Sequence, residues 1–279
     1  MCLKGRPAAA NDANLMELLS SGIPVKILVE TDDILEESSL GQGQSAFGVR
    51  SVQLASLAVG LTDAFVLQST SSNLVELAGR LRKGLDVRSP ALLSVYTATP
   101  AHSGNVPRYL VSAAAMQSPA FPAFTYDPSA GRDLASRFSL EDNPQAERDW
   151  PVATFEYADE KLQRVAGELP FTLADFVAVD PRYASHFARV PHEHWNEPMI
   201  PLVRWLERPP AGNDNQVPYL LAVDEENVLH RLILDDRLVQ AVRRCLANWH
   251  RLQEMGVVHN SHAERRLARE RAAWEEEKR

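Results

Sequence analysis

Cysteine is nearly missing from this chain: Cys2 and Cys245 are the only two in 279 residues. They form no metal-binding pair and are too few for an iron–sulfur cluster held by this chain alone. The same scarcity excludes a disulfide scaffold and suits a reducing compartment. Long apolar runs are missing too. No stretch approaches the roughly 18 apolar residues of a membrane span. The opening MCLKGRPAAANDANLMELLSSG lacks the continuous apolar core of a signal peptide, so a cytoplasmic protein with no membrane partner is expected. Positive charge is in deficit, with 29 Lys and Arg against 37 Asp and Glu and a formal net charge of -8. That balance disfavours a phosphate-tracking surface, and no nucleic-acid partner is expected. Ser38, Ser45 and Ser103 lie in glycine-containing polar stretches without the Gly-x-Ser-x-Gly elbow, and no Gly-rich phosphate loop ending in lysine and serine or threonine occurs.

What is present is ordinary globular material: 45% hydrophobic and 24% charged residues, in a chain long enough for one large domain or two modest ones. Pro24 opens a short apolar, β-prone run through Val25, Ile27, Leu28 and Val29, the kind found in parallel sheets covered on both faces. The run stops at Glu30, Thr31, Asp32, Asp33, Glu36 and Glu37, and Gly41 and Gly43 follow as turn residues. Ligands of open α/β sheets sit beyond the carboxyl ends of strands, so these acids form either a metal site or a solvated loop. Spacing alone favours the solvated loop, because most polar loops after strands do no chemistry.

The pattern then repeats in outline. RSVQLASLAVGLTD carries one apolar helical face, and AFVLQS is a second strand. LVELAGRLRKGL, capped by Ser72 or Asn73, is a helix whose Leu74, Leu77, Ala78, Leu81 and Leu85 keep a spacing of three and four. SPALLSVYTATP is the third strand, a helix follows over about 106–116, and FPAFTYDP adds a last strand before the turn residues Asp127 and Pro128. Alternating strands and helices predict right-handed crossovers and a parallel sheet of four or five strands. Residues 20–130 thus read as one three-layer α/β unit, within a first domain over 1–140.

Residues 141–210 read as a connecting segment with short helices, among them MIPLVRWLER and a helical stretch broken at Pro181. RPPAGNDNQVP concentrates proline, glycine and asparagine and marks the boundary to a third region, 211–279. There YLLAVDEENVLHRLILD forms a hairpin about Asp224, Glu225, Glu226 and Asn227. RLVQAVRRCLANWHRLQEMG is an amphipathic helix for which Gly256 supplies a left-handed cap. Asn260 or Ser261, with Glu264 completing a capping box, starts a final helix. Its residues AERRLARERAAWEEEKR offer few apolar anchors, so it should project or pack on a partner rather than fill a core. His259 and His262, and His192 and His194, have spacings a metal could use, against a commoner surface role.

Four blocks, LMELLSSGIPVKILVETDD, SVQLASLAVGLTDAFVLQS, LVELAGRLRKGLDVRSPALLSVYTATP and FPAFTYDPSAG, resemble in order and spacing the C-terminal, thiamine-diphosphate-binding domain of pyruvate:ferredoxin (flavodoxin) oxidoreductases. The resemblance runs from Leu15 to Pro128. It implies an α/β fold of the thiamine-diphosphate-binding type and a role in oxidative decarboxylation of a 2-oxoacid such as pyruvate. Implied cofactors are thiamine diphosphate and Mg²⁺, which takes hard oxygen ligands. Implied partners are other domains or subunits of the oxidoreductase and ferredoxin or flavodoxin. Cofactor-binding positions carried over are Thr31, Asp32, Glu36, Gly41, Gly43 and Gln44, with Glu36 as the metal ligand.

The chain departs from the family pattern in three places. Leu3, Lys4 and Gly5 stand where the family has Gly-Asp-Gly, which puts a cation at the first magnesium ligand. Ile34, Leu35 and Glu36 fall opposite tyrosine, serine and asparagine of the cofactor loop, and SSLGQGQ restores its glycine–glutamine ending. Thr99 or a neighbour replaces a cysteine. A divergent part or subunit that is inactive alone is therefore expected; the alternative is a non-enzymatic scaffold or interaction module that retains the fold.

Overall fold

The structure is a computed structural model that describes residues 2–4, 9–35, 50–61, 63–100, 103–158, 163–208, 216–224 and 226–278. It is an α/β protein built on two sheets and a separate hairpin.

The first sheet contains β1 (Cys2–Lys4), β2 (Lys26–Thr31), β3 (Phe65–Thr70), β4 (Ala91–Tyr96), β5 (Phe124–Tyr126) and β6 (Phe138–Ser139), in the order β1-β2-β4-β3-β5-β6. Helices α1 (Ala9–Ser20), α2 (Arg50–Val59), α3 (Ala78–Asp86), α4 (Arg108–Gln117) and the short α5 (Leu134–Arg137) lie between these strands in sequence. The apolar run supplies an interior strand, which begins at Lys26, one residue after Val25. Leu28 registers with Cys2 on one side and with Leu93 on the other. Alternation along β2, β3 and β4 sends Ile27, Val29, Val66 and Leu92 into one buried cluster with Leu15, Leu19, Leu54 and Ala58. Phe65, Leu67, Ala91 and Leu93 go to the opposite face with Leu77. Burial on both faces is why these strands read as near-continuous apolar runs.

The parallel-sheet expectation needs correction, because the sheet is mixed. β1, β2, β4 and β3 are parallel, but β5 runs antiparallel to β3 and β6 antiparallel to β5. The reason lies in α4, which packs against the turn at 71–73. Ser112 Oγ accepts from Ala98 N at 3.2 Å and from Ser71 Oγ at 3.1 Å. These bonds hold α4 at the carboxyl edge of β3 and β4, so the chain enters β5 from that edge: Phe124 meets Gln68 and Tyr126 meets Val66. The third helix also starts later than its apolar spacing suggests. Residues 71–73 form a 3-10 turn, α3 begins at Ala78, and Leu85 is exposed. Gly84 lies directly under the Phe65 ring, where a Cβ would come within 2.5 Å.

Beyond β6 come the antiparallel hairpin β7 (Val152–Ala158) and β8 (Arg164–Pro170), then α6 (Leu173–Val177). The second sheet is ordered β10-β11-β12-β9, from β9 (Phe187–Val190), β10 (Met199–Pro201), β11 (Val217–Val223) and β12 (Leu229–Leu234). α7 (Leu202–Leu206) follows β10, which pairs parallel with β11. The expected hairpin of β11 and β12 is present, with Asp224 Oδ1 accepting from Glu226 N and Val228 N.

α8 (Asp236–Met255) ties the two sheets together. Its Leu238, Val239, Val242 and Cys245 pack in one cluster with Leu220 and Leu234 of the second sheet and Tyr96 of the first. Its Trp249 and Leu252 reach the cluster above β2 and β3. At its end, Gly256 has φ −81, and the left-handed residue is Val257 with φ +57. Val258 N bonds Gln253 O and Val257 N bonds Glu254 O, the pairing of a Schellman cap with valine at the left-handed position. Gly256 serves close approach instead, since a Cβ there would sit 2.9 Å from Leu140 Cδ1. α9 (Ser261–Glu277) starts at Asn260, whose side chain accepts from Ala263 N at 3.0 Å. That places Glu264 one residue beyond the position a capping box requires.

Candidate functional site

The carboxyl edge of the parallel strands is where an α/β sheet presents a ligand site. β2 ends there at Thr31, in register with Tyr96 at the end of β4, and Thr97 N bonds Thr31 O at 2.8 Å. Thr31 Oγ1 donates to Asp33 O at 3.2 Å. Asp33 then folds its carboxylate back, and Oδ1 accepts from Leu35 N at 3.0 Å, an Asx turn that directs the chain inward.

Asp33 is met by a segment far away in sequence. The box formed by Thr172 and Asp175 starts α6, whose Leu173, Ala174 and Val177 are buried beside α4 and α8. Just past α6, Asp180 caps a 3-10 turn with Pro181 at its first position, and Arg182 rises from that turn. Arg182 Nη1 donates to Asp33 Oδ2 at 2.6 Å. Its Nε and Nη2 grip Asp180 at 3.0 and 2.6 Å, and its guanidinium carbon lies 5.2 Å from the Tyr183 ring centre. Tyr183 OH donates to Asp33 Oδ1 at 3.3 Å. One cation is thus shared between two carboxylates over an aromatic ring, a rigid arrangement that suits the planar guanidinium.

Tyr96 closes the floor of this cluster. Burial holds its phenol proton on, reinforced by the nearby Asp180 and Asp33 carboxylates. Tyr183 is shifted the same way, first by burial and then by Asp33. Neither phenol is a general base at neutral pH.

Of the carried-over positions, Thr31 and Asp32 stand at this edge, while Glu36, Gly41, Gly43 and Gln44 lie outside the described residues. Ile34 and Leu35, aligned with polar positions of the family's cofactor loop, are buried. They line a small apolar pocket with Pro119, Ala120, Leu173 and Cys245. The described residues do not by themselves fit a magnesium diphosphate. Asp33 is committed to Arg182, the Thr31 hydroxyl to Asp33, and two loop positions are apolar. Among the described residues no three His, Cys, Asp or Glu side chains are placed to hold a metal ion.

The histidines serve other ends. His259 Nε2 sits on Glu147 O, while His262 is exposed at the start of α9. His192 packs its ring 4.3 Å from Trp195. His230 Nε2 lies 2.6 Å from Asp224, whose carboxyl is held down at about 2 by that bond and by Val228 N. His186 Nδ1 lies 2.6 Å from Asp235, the cap of α8. Burial pushes the Cys245 thiol up to about 12, which makes it inert.

Arg182, Asp180 and Tyr183 escaped the reading of the sequence. Asp180-Pro181 is a legible helix start, yet nothing local ties it to Asp33. No family model matches the chain, and no curated protein matches it.

Proposed function

We propose that this chain is a divergent, thiamine-domain-type part of a 2-oxoacid:ferredoxin or flavodoxin oxidoreductase that acts only with other domains or subunits. The observation that carries the reading is the interior β2, with Thr31, Asp32 and Asp33 at its carboxyl edge, in the chain segment that resembles that family. The closing of this edge by Arg182 and by the burial of Ile34 and Leu35 supports inactivity in isolation. In the assembly, thiamine diphosphate would supply the carbanion chemistry. The resemblance assigns the cofactor contacts to Thr31, Asp32, Glu36, Gly41, Gly43 and Gln44, with Glu36 as the Mg²⁺ ligand; of these Thr31 and Asp32 stand at the described edge, where a partner would have to release the Thr31 hydroxyl from Asp33.

The second reading, a non-enzymatic interaction module that retains the fold, draws support from α9, whose residues 262–276 are exposed without interruption. Calorimetric titration with thiamine diphosphate and Mg²⁺ separates the readings. The isolated chain should give no saturable heat up to about millimolar ligand, and the complex isolated through it should bind at about micromolar affinity. Silence from both overturns the oxidoreductase reading. Micromolar binding by the chain alone overturns its dependence on partners.

A further inference from the structure

Among the described residues α9 joins no core cluster. Every described side chain from His262 to Glu276 is exposed, including Leu267 at 54% and Trp274 at 68%. A helix of 17 residues is marginal in water unless a face is packed, because nucleation is costly and propagation gains little per residue. Ala263, Leu267, Glu270 and Trp274 share one stripe, flanked by Glu264 and Arg271 on one side and by Arg266 on the other.

We propose that α9 pairs antiparallel with α9 of a second copy of this chain. Two features of the stripe select that occupant and that direction. Laying Trp274 over Ala263 of the second copy sets the largest side chain against the smallest, and the two-fold axis repeats the contact at the other end. The same alignment brings Arg271 beside Glu264 of the second copy, twice by symmetry, whereas parallel pairing sets Arg266 against Arg271 of the second copy. Glu270, which this register lays beside Leu267 of the second copy, is neutralised within its own helix by a 3.0 Å ion pair with Arg266. Antiparallel helices also oppose their dipoles favourably.

Three apolar residues per helix bury less than the roughly 1,200 Å² of a lasting interface, so the dimer is weak and concentration-dependent. Sedimentation velocity on the full chain from about 10 to 300 µM, with CD to follow helicity, tests it. The expected record is a monomer–dimer equilibrium that Trp274→Ala or Leu267→Glu weakens at least about tenfold. Arg271→Glu weakens it as well, and the exchange of Glu264→Arg with Arg271→Glu restores it. A monomer throughout this range, a dimer indifferent to Trp274→Ala, or an exchange that fails to restore association overturns the proposal.

Discussion

Arg182 Nη1 and Asp33 Oδ2 lie 2.6 Å apart across 149 residues of sequence, and this bond fastens the turn after α6 to the end of β2. Asp33 is only 11% exposed at its side chain, against 34% for Arg182. Arg182→Leu should therefore cost about 1–3 kcal/mol, most of it from the carboxylate left with one strong partner fewer. Urea unfolding of this variant, Asp33→Asn and the double variant should give a coupling energy well above zero. Strict additivity would mean the bond contributes nothing.

Val257 holds a left-handed backbone that a β-branched side chain resists. Val257→Gly should raise stability by about 1 kcal/mol, visible as a higher urea midpoint at unchanged slope. Gly256→Ala should do the opposite, since its Cβ would press on Leu140.

Asp175 accepts from Thr172 N and Oγ1 at 2.7 and 2.6 Å, yet burial outweighs these bonds and pushes its carboxyl up to about 6. A folded-state value above the unfolded one means the native state keeps the proton longer. The stability this group contributes is complete below about pH 4 and is lost as pH rises through about 6, at most about 3 kcal/mol. Asp175→Asn keeps an acceptor and removes the titration. The stability difference between Asp175→Asn and wild type should accordingly grow in favour of the variant from pH 4 to pH 7.

Cys245 should be silent to thiol reagents in the native state and react fully on unfolding. A Cys2→Ser background isolates its signal. Labelling of Cys245 without unfolding would contradict its burial between α8 and the 118–119 backbone.

Elements whose apolar faces are set by neighbours in sequence were legible: β2, β3, β4, α4, α8 and the hairpin of β11 and β12. The direction of β5 was not, because it depends on Ser112 anchoring α4 to Ala98 and Ser71. The hairpin of β7 and β8 carried a readable alternation, Phe155 and Tyr157 on one strand and Val165 and Leu169 on the other. The polar stretch before it drew the segment into a connection instead. Gly256 was read for its backbone freedom when its missing side chain is what Leu140 uses. At the candidate site the strand end was visible at Thr31 and Asp32, while the cation that closes it arrives from a turn that no local pattern links to β2.

The most direct test of the proposed role is 2-oxoacid-dependent reduction of a viologen dye, with coenzyme A, thiamine diphosphate and Mg²⁺, by the complex isolated from its own cells through a tag on this chain. The expected result is reduction by the complex, none by the chain alone, and loss of activity when the chain is withdrawn. A complex that reduces no dye, or one whose rate is unchanged without this chain, would contradict it.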